Sequence, residues 1–577
     1  MSADLILPLS EEYEDYLRDE SRSTGCADSI SFPTTEAQVI EIVNAIRARG
    51  GSITTQGART GITAGAVPHG GHILNLQRMN HIGPVRPDAA GGQALVTVQP
   101  GALLQDVAKA VEAGGWLFPP DPTETSASIG GMVACNASGA MSHHYGPTRK
   151  WVRSLRLVLA DGSVLSLARG EHRAQGRSFS LTTSSGRQIS GRLPTYTQPA
   201  VKSAAGYYVA DDMDLLDLFI GMEGTLGIVT EAELILIPRP AVVLGLTAFL
   251  PSEDAALHFV RTLRGDEGSL RPVAIEFFDH DALNLLRRAR EQNPAFEAIP
   301  PLRPDFHSAV YAEFHGSDQD LVDEAMLQVL DALAAVGGSD EDTWAGTTPR
   351  ELEPLKAFRH AVPEAVNLLI AQRKRDLPQL TKLGTDMSVP DTHLIAAMQM
   401  YRTGLAEAGL ESVIFGHISD NHLHVNILPR TMEDYECGKA LYRTWAQQVV
   451  AWGGSVSAEH GIGKLKVPFL ELMYGPDGIA QMRQLKLLFD PYRLLNPGNL
   501  FPPERLLRHR PPDPTCTGSG PGPAEAPCAP AYPTAPSRTA QASSTLAGAP
   551  RPLARIPTGR PLPGPPRVPT APASYRG

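Results

Sequence analysis

The chain has 577 residues, of which 42% are hydrophobic and 20% charged, and its formal net charge is −11 at pH 7. This length exceeds what one hydrophobic core normally serves, so two or three domains are expected. The acidic balance argues against broad nucleic-acid binding, and no apolar run has the length of a transmembrane segment.

The N-terminus, from Met1 to Asp15, lacks the basic start and the apolar segment of a secretory signal, which predicts a cytoplasmic location. The five cysteines are scattered without a Cys-x-x-Cys pair, so reduced thiols and no cysteine metal cluster are expected. Small molecules or proteins are the expected partners. Peripheral contact with a membrane and a homodimer stay open.

The front half alternates short helices and strands. Thr35 with Gln38 resembles a capping box, and apolar residues recur at helical spacing up to Gly50, which predicts a helix. A second helix is predicted from Leu103 to the glycine pair that begins at Gly114. The strands predicted in this α+β region are Ser52–Gln56, Ala94–Val98, Val152–Leu159 and Ile228–Ile237.

Longer amphipathic stretches, such as 321–336 and 393–408, follow the break near Pro238-Arg239-Pro240 and alternate with strand-like runs such as 309–314. The predicted division is an N-terminal segment of residues 1–30, a first domain of 31–240, a second α+β domain of 241–455, a C-terminal segment of 456–507 and a tail of 508–577. The tail is crowded with Pro, Ala, Ser, Thr and Gly, which predicts disorder. It is either a protein-docking segment or a dispensable extension.

Three segments of small residues lie in the first domain, at 56–65, 128–139 and 223–230. Each alone is as typical of an ordinary turn, and none is a P-loop or a Rossmann fingerprint. Together they indicate close backbone approach to one extended ligand, with the first suited to a pyrophosphate.

From about residue 30 to 240 this set resembles the FAD-binding domain of the vanillyl-alcohol oxidase and p-cresol methylhydroxylase type. The resemblance implies FAD, held non-covalently because the loop from Gly57 to Gly61 has no histidine for a covalent bond. The residues expected to bind FAD are Gly57, Ala58, Arg59, Thr60, Gly61, Pro122, Ser128, Gly131, Asn136, Ser138, Gly139, Glu223, Gly227, Ile228 and Val229.

Histidines cluster in Gly416-His417-Ile418-Ser419-Asp420-Asn421-His422-Leu423-His424, and Glu459-His460 follows downstream. Alternation from His422 to Ile427 predicts a strand with His422, His424 and Asn426 on one face. Imidazole and carboxylate ligands suit Zn²⁺ or a similar divalent ion, and an open catalytic site uses three of them. His417, His424 and Glu459 supply that set.

The second half resembles the C-terminal domain of FAD-linked D-2-hydroxyacid dehydrogenases, whose motif is His-x-Gly-Asp-Gly-Asn-x-His with Gly-Glu-His-Gly-Ile-Gly downstream. By this resemblance His417, His424 and Glu459 hold the metal and His460 is the catalytic base. Ser419 and Asn421 replace two glycines of the motif. His422 stands where the family usually has asparagine near the substrate, and it either replaces that hydrogen bond, adds a ligand or simply packs.

Three further residues are expected in the site by the same resemblance. Arg359 matches an arginine that grips the substrate carboxylate, Lys382 is a second cation near a family motif, and Asn496 matches an asparagine close to flavin and substrate. The alternative for Lys382 is a surface position. The alternative for Asn496 is a structural turn.

The expected function is FAD- and metal-dependent oxidation of a D-2-hydroxy acid, D-lactate first. A metal-bound hydroxyl would lose its proton to a neutral imidazole, and the hydride would pass to flavin. Glycolate and D-2-hydroxyglutarate are rival substrates, and an ether-lipid synthase (alkylglycerone-phosphate-synthase-like) or a flavin-binding accessory subunit is the alternative function. The electron acceptor stays open among a quinone, a cytochrome, an electron-transfer flavoprotein and oxygen.

Overall fold

Helices and strands alternate along the chain, and the predicted α+β class is confirmed. The computed structural model describes residues 5–89, 91–265 and 271–502, which belong to one compact unit; the tail predicted at 508–577 lies outside them. The strands are β1 Leu7–Pro8, β2 Ser29–Ser31, β3 Ile53–Gln56, β4 His72–Asn75, β5 Arg86–Pro87, β6 Ala94–Val98, β7 Trp116–Leu117, β8 Val152–Val158, β9 Val164–Ala168, β10 Ser178–Thr182, β11 Gln188–Arg192, β12 Ile228–Pro238, β13 Val242–Leu250, β14 Pro272–Phe278, β15 Ser308–Gly316, β16 Thr343–Gly346, β17 Leu383–Gly384, β18 Met387–Ser388, β19 Ser412–Gly416 and β20 His422–Ile427. The helices are α1 Glu36–Ala48, α2 Leu104–Glu112, α3 Ile129–Cys135, α4 Ser142–Tyr145, α5 Glu253–Leu263, α6 His280–Gln292, α7 Gln319–Ala335, α8 Pro349–Arg373, α9 Leu394–Ala408, α10 Met432–Ala451 and α11 Val467–Phe489.

A small sheet, in the order β1-β2-β4-β3, opens the fold, and its last three strands are parallel. Helix α1 covers it. The side chain of Thr35 accepts a hydrogen bond from the N–H of Gln38, which confirms the predicted helix start. Because Val39 and Val43 recur on one face of α1, they bury against Ile53 of β3.

The second sheet has the order β5-β6-β12-β8-β9 and is antiparallel, with β12 at its centre. Segment 128–139, which sequence reasoning treated as a loop, is instead largely helix α3. Ser128 caps that helix through the N–H of Gly131, and Asn136 ends it in the left-handed conformation at φ 49°. A Cβ on Gly130 would lie 2.6 Å from Cβ of Pro100, so glycine lets the helix pack closely.

The third sheet contains eight strands, all from residues after Pro238, and β14, β19 and β20 are neighbours in it. In the register, Phe277 of β14 pairs with Gly416 of β19, and Phe415 pairs with His424 of β20. Strand β20 covers the predicted residues, but on its histidine face His422, at 0% exposure, and Asn426 are buried like the apolar face, and His424 is partly buried. This register places the end of β19 beside β14 and the start of β20 beside the end of β19.

Helices α7 and α9 confirm the two amphipathic stretches predicted after residue 320. Helix α11, in the C-terminal segment, starts at Val467 and contains a break at Gly475, whose φ is 67°. Within the described ranges, no helix combines the length and apolar character that crossing a bilayer requires.

Candidate active site

Three histidine side chains meet where β19 turns back into β20. His417 follows β19, a short 3-10 turn covers Ile418–Asp420, and Asn421 reverses the chain at φ 51°. The ring centroids of His417 and His424 are 5.5 Å apart, and those of His422 and His424 are 4.4 Å apart. A Cβ on Gly416, at φ 123°, would lie 2.7 Å from Cδ2 of His424, so this approach of the chain requires glycine.

Glu459 completes this cluster from the C-terminal segment. Its Oε1 lies 3.3 Å from Nε2 of His417 and 3.5 Å from Nε2 of His424. One nitrogen of each of the three histidines and one oxygen of Glu459 all lie within 4.8 Å of one another. Imidazole nitrogens with one carboxylate are a donor set that suits Zn²⁺ and related divalent ions, so the residues fit the group expected from the sequence.

Acceptors behind His417 and His424 orient both rings. Oε1 of Glu276, on β14, lies 2.6 Å from Nδ1 of His417, and the carbonyl oxygen of Thr385 lies 3.0 Å from Nδ1 of His424. An N–H at each Nδ1 leaves Nε2 of both rings on the side of Glu459. Burial lowers the pKa of His417, but Glu276 and Glu459 outweigh that effect and raise it to about 9.

Lys202 is a buried cation at the same cluster that the sequence analysis missed. Its Nζ lies 2.7 Å from Oε2 of Glu459 and 3.8 Å from Oδ2 of Asp420. Burial lowers the pKa of Lys202, but Glu459 and Asp420 raise it above its usual value, so the ammonium stays charged. Lys202 thus pairs with Oε2 of Glu459, while Oε1 of Glu459 faces the histidines. Its loop carries no motif that could have identified it.

His460 lies beside the cluster and is held by Asp386. Nδ1 of His460 is 3.3 Å from Oδ2 of Asp386, and Nε2 is 3.5 Å from Oε1 of Glu459. Asp386 also accepts the backbone N–H groups of Glu459 and His460 and the ammonium of Lys466 at 2.5 Å. Burial raises the pKa of Asp386, but His460 and Lys466 hold it well below its usual range. Asp386 is therefore an ionised anchor for the Glu459-His460 segment.

Arg359 is buried on α8, where its guanidinium lies 3.2 Å from Oδ2 of Asp121. Burial lowers the pKa of Arg359, but Asp121 and Glu276 raise it above its usual value. Since Glu276 also contacts His417, this guanidinium acts electrostatically on the histidine cluster.

The structure does not bring Lys382 to the cluster. Lys382 precedes β17, which pairs with the far end of β20 at Ile427. Its pKa is lowered by burial and by Arg22, and Arg22 lies in the N-terminal segment. Asn496 does reach the small-residue segments, where it accepts the N–H of Thr55 at 2.9 Å and donates to the carbonyl of Glu223 at 3.0 Å. These contacts tie the C-terminal segment to β3 and to the segment at 223–230.

One cavity joins the three small-residue segments to the cluster. Among the residues that line it are Glu459, His460 and Asn496. The expected FAD-binding residues that line it are Gly57, Ala58, Arg59, Thr60, Gly61, Pro122, Ser128, Gly131, Ser138, Glu223, Gly227, Ile228 and Val229.

Close backbone packing shapes this cavity for an extended ligand. A Cβ on Gly57 would lie 2.0 Å from Oγ of Ser128, so only glycine lets these two segments meet. Glu223 accepts the N–H groups of Ile462 and Gly463 at 2.7 and 2.6 Å, and burial raises its pKa to about 7. The residues present fit FAD.

Two expected FAD-binding residues lie behind the cavity wall. Asn136 accepts the N–H of Arg149 at 2.9 Å. Gly139 packs against Asp121, where a Cβ would lie 1.7 Å from the carbonyl oxygen. Both positions shape the wall of the cavity through packing and do not line it.

Two family profiles match this chain. The profile described as an FAD binding domain covers residues 27–168, and the one described as the C-terminal domain of FAD linked oxidases covers residues 239–500. The first contains the segment at 56–65, and the second contains the histidine cluster with Glu459 and His460.

Curated relatives match along most of their length. A D-lactate dehydrogenase of Anaerostipes hadrus is 30% identical, with 86% of this chain and 94% of the relative covered. The glycolate oxidase subunit GlcD of Bacillus subtilis is 27% identical, with 82% and 89% covered. A D-2-hydroxyglutarate dehydrogenase of Xanthomonas citri pv. viticola is 30% identical, with 85% and 93% covered.

A solved structure of alkyldihydroxyacetonephosphate synthase has the same fold, with a TM-score of 0.56 at 17% identity over 86% of this chain and 82% of that one. At this identity the likeness concerns the fold alone. The profiles and relatives identify the chemistry: the chain belongs to the FAD-linked D-2-hydroxyacid dehydrogenase family and is an FAD-dependent oxidoreductase.

Proposed function

We propose that this chain oxidises a D-2-hydroxy acid, D-lactate first, to the 2-oxo acid, using non-covalent FAD and a divalent ion, Zn²⁺ first. The ion would be held by His417, His424 and Glu459. The observation that carries the proposal is the single cavity lined both by the FAD segments and by Glu459 and His460. A substrate in that cavity would have both a hydride acceptor, the flavin, and a proton acceptor, His460, within the same enclosure.

His460 is the proposed catalytic base. Its Nδ1 faces the carboxylate of Asp386, which leaves Nε2 on the side of Glu459 to accept a proton. An ionised Asp386 fixes the imidazole orientation and stabilises the imidazolium that forms, as an acidic partner does in other His-based sites. Asp386 is thus a positioning residue for the base.

The bound groups supply the remaining chemistry: a divalent ion lowers the pKa of a coordinated hydroxyl, and oxidised flavin accepts the hydride. The chain itself holds Nε2 of His417, Nε2 of His424 and Oε1 of Glu459 close together. Glu276 and the Thr385 carbonyl keep the two rings in the required tautomer.

Arg359 is the proposed partner of the substrate carboxylate. Its guanidinium is buried and ionised, and a planar fork suits a carboxylate better than an ammonium does. It is paired with Asp121 at 3.2 Å, so part of its hydrogen-bonding capacity stays available. For Lys382 the structure supplies no contact with the cluster, and its role in substrate binding stays a prediction.

By their names, the relatives are a D-lactate dehydrogenase, a D-2-hydroxyglutarate dehydrogenase and a glycolate oxidase subunit. D-lactate, D-2-hydroxyglutarate and glycolate are therefore the substrates to compare. His422, where the family usually has asparagine, is the position at which this chain departs within the cluster. The electron acceptor that follows flavin is proposed to be a quinone, a cytochrome or an electron-transfer flavoprotein. The proposed location of the protein is cytoplasmic.

The test is anaerobic reduction of the bound flavin by D- and L-forms of the hydroxy acids and by glycolate, with metal analysis of the same sample. Loss of the oxidised-flavin absorbance with D-lactate supports the proposal. No reduction by any hydroxy acid in metal-loaded protein rejects it and favours an ether-lipid-synthase-like or accessory role. Replacing the base, His460→Ala, should abolish reduction while FAD stays bound; fast reduction in that variant would remove His460 from this role.

A further inference from the structure

His422 has no hydrogen-bond partner for Nδ1 among the described residues, and its Nε2 lies 3.0 Å from Oδ1 of Asp386. Its side chain is 0% exposed, so water does not reach either nitrogen. A buried polar atom without a partner is costly, and in a native protein it needs a physical explanation, of which an ion is one. The groups around Nδ1 of His422 show which explanation applies.

An ordinary packed histidine does not look like this. His315, also on the third sheet and nearly buried, has both nitrogens partnered: Nε2 lies 3.0 Å from Glu313 and Nδ1 lies 2.8 Å from the hydroxyl of Tyr145. His422 has instead an anion close to one nitrogen and ligand-type atoms close to the other. Simple packing does not explain that arrangement.

The surroundings of His422 repeat those of the two histidines proposed as ligands. Nε2 faces Oδ1 of Asp386 at 3.0 Å, and Nδ1 lies 3.9 Å from Oε2 of Glu459. His417 has Glu276 behind its Nδ1, and His424 has the Thr385 carbonyl behind its own. An acceptor behind the nitrogen that does not bind the ion is the usual arrangement for a metal-ligating histidine.

We propose that Nδ1 of His422 is a fourth protein ligand of the ion held by His417, His424 and Glu459. This inference rests on the proposed metal dependence and adds a third imidazole to the expected set. The candidate ligand atoms of all four residues lie within 4.8 Å of one another. Asp386 then positions two residues at once, His422 through Oδ1 and His460 through Oδ2.

A third imidazole changes which ion the site prefers. Three nitrogen donors and one carboxylate favour Zn²⁺, Co²⁺ or Ni²⁺ over Mn²⁺ and Mg²⁺, which prefer oxygen donors. Zinc with four protein ligands can expand to five, so a substrate oxygen keeps a place. A histidine at position 422, where the family usually has asparagine, thus changes which metal ion the site selects as well as the surroundings of the substrate.

The test uses the full chain loaded with FAD and Zn²⁺. X-ray absorption at the zinc edge of the unmodified protein should be fitted by three imidazoles, and a fit with two would overturn the inference without any variant being made. In Co²⁺-loaded protein, His422→Asn should change the visible absorption spectrum. It should also weaken Co²⁺ binding by about tenfold to a hundredfold.

The matched control is His72→Asn, at another buried histidine with an unpartnered Nε2, in the FAD-binding half of the chain. That variant should leave the Co²⁺ spectrum and affinity unchanged. Equal spectra and affinities in His422→Asn and the unmodified protein would overturn the inference alone. Failure of the unmodified protein to bind Zn²⁺ or Co²⁺ would overturn it together with the proposed metal dependence.

Discussion

Oε1 of Glu276 lies 2.6 Å from Nδ1 of His417, although 141 residues separate them in the chain. Burial raises the pKa of Glu276, but His417 outweighs that effect and holds it below its usual value, so the carboxylate is ionised. An ionised acceptor at this distance fixes the tautomer of His417 and makes Nε2 a stronger donor to a cation. The metal site therefore depends on β14 as well as on the histidine motif.

Replacing this acceptor, Glu276→Gln, should keep the shape and lower the affinity for a divalent ion by roughly 10- to 100-fold. Chelator competition on the FAD-loaded chain measures it. Asp490→Asn is the control, because Asp490 is equally buried and paired with Lys486 at 2.8 Å in α11. A similar loss of affinity in both variants would mean that general destabilisation, and not the Glu276 contact, explains the effect.

Arg359→Lys should raise KM for the hydroxy acid more than it lowers kcat. Lysine keeps the charge but cannot form two parallel hydrogen bonds to a carboxylate. Losing one charged hydrogen bond costs on the order of 2 kcal/mol, or about 30-fold in kcat/KM, expected mainly in KM. Steady-state kinetics measures the change.

The control for Arg359 is Arg402→Lys, which alters an arginine paired with Asp279 at 3.0 Å in the second domain. Its kcat/KM should stay close to that of the unmodified protein. An unchanged KM in Arg359→Lys would remove Arg359 as the carboxylate partner.

Gly57→Ala should reduce FAD binding, because the new Cβ would lie 2.0 Å from Oγ of Ser128. Ser128 caps α3 and contacts the N–H of Ala58, so its displacement disturbs two walls of the cavity. Overpacking of this kind costs about 1–3 kcal/mol, equivalent to roughly 5- to 150-fold in the Kd for FAD.

The control is Gly265→Ala in the second domain, which does not line the cavity and where the atom nearest to the new Cβ is the carbonyl oxygen of Thr262 at 3.2 Å. Fluorescence titration with FAD measures both variants. Equal FAD affinity in the two would contradict the close packing of Gly57 on Ser128.

His72 should make the fold less stable in acid. Burial lowers its pKa to about 4, so between about pH 6.5 and pH 4 the unfolded chain binds a proton that the folded chain does not. Stability is unaffected at neutral pH and falls as the pH drops through this window, by on the order of 3 kcal/mol at its lower end.

His72→Asn should therefore flatten the decline of the thermal midpoint between neutral pH and about pH 4. The same change at exposed His258 is the control and should not flatten it. Parallel curves for His72→Asn and the unmodified protein would show that His72 does not carry this pH dependence.

Local sequence patterns predicted much of the fold and part of the site. The alternation from His422 to Ile427 predicts β20, and the cap at Thr35 predicts the start of α1. These succeed because strand period and capping depend on neighbouring residues. The segment at 128–139 was misread as a loop because its glycines mask a helix that Ser128 caps.

The partners of the site could not be predicted from local patterns. Glu276, Lys202 and Asp386 reach the histidines and Glu459 from strands or loops distant in the chain, and only the sheet register and the packing of the segments define those contacts. In the segment around Asp386 the sequence predicts a role for Lys382, which lies four residues before the side chain that contacts His460. Residues that act through other residues leave no periodic signal.

The rate at which D-lactate reduces the bound flavin without oxygen, in metal-loaded protein and after removal of the ion by a chelator, tests the central claim most directly. We expect fast reduction in the loaded protein, loss of it after chelation and recovery when Zn²⁺ or Co²⁺ is restored. Equal rates with and without the ion, while FAD occupancy stays the same, would contradict the account.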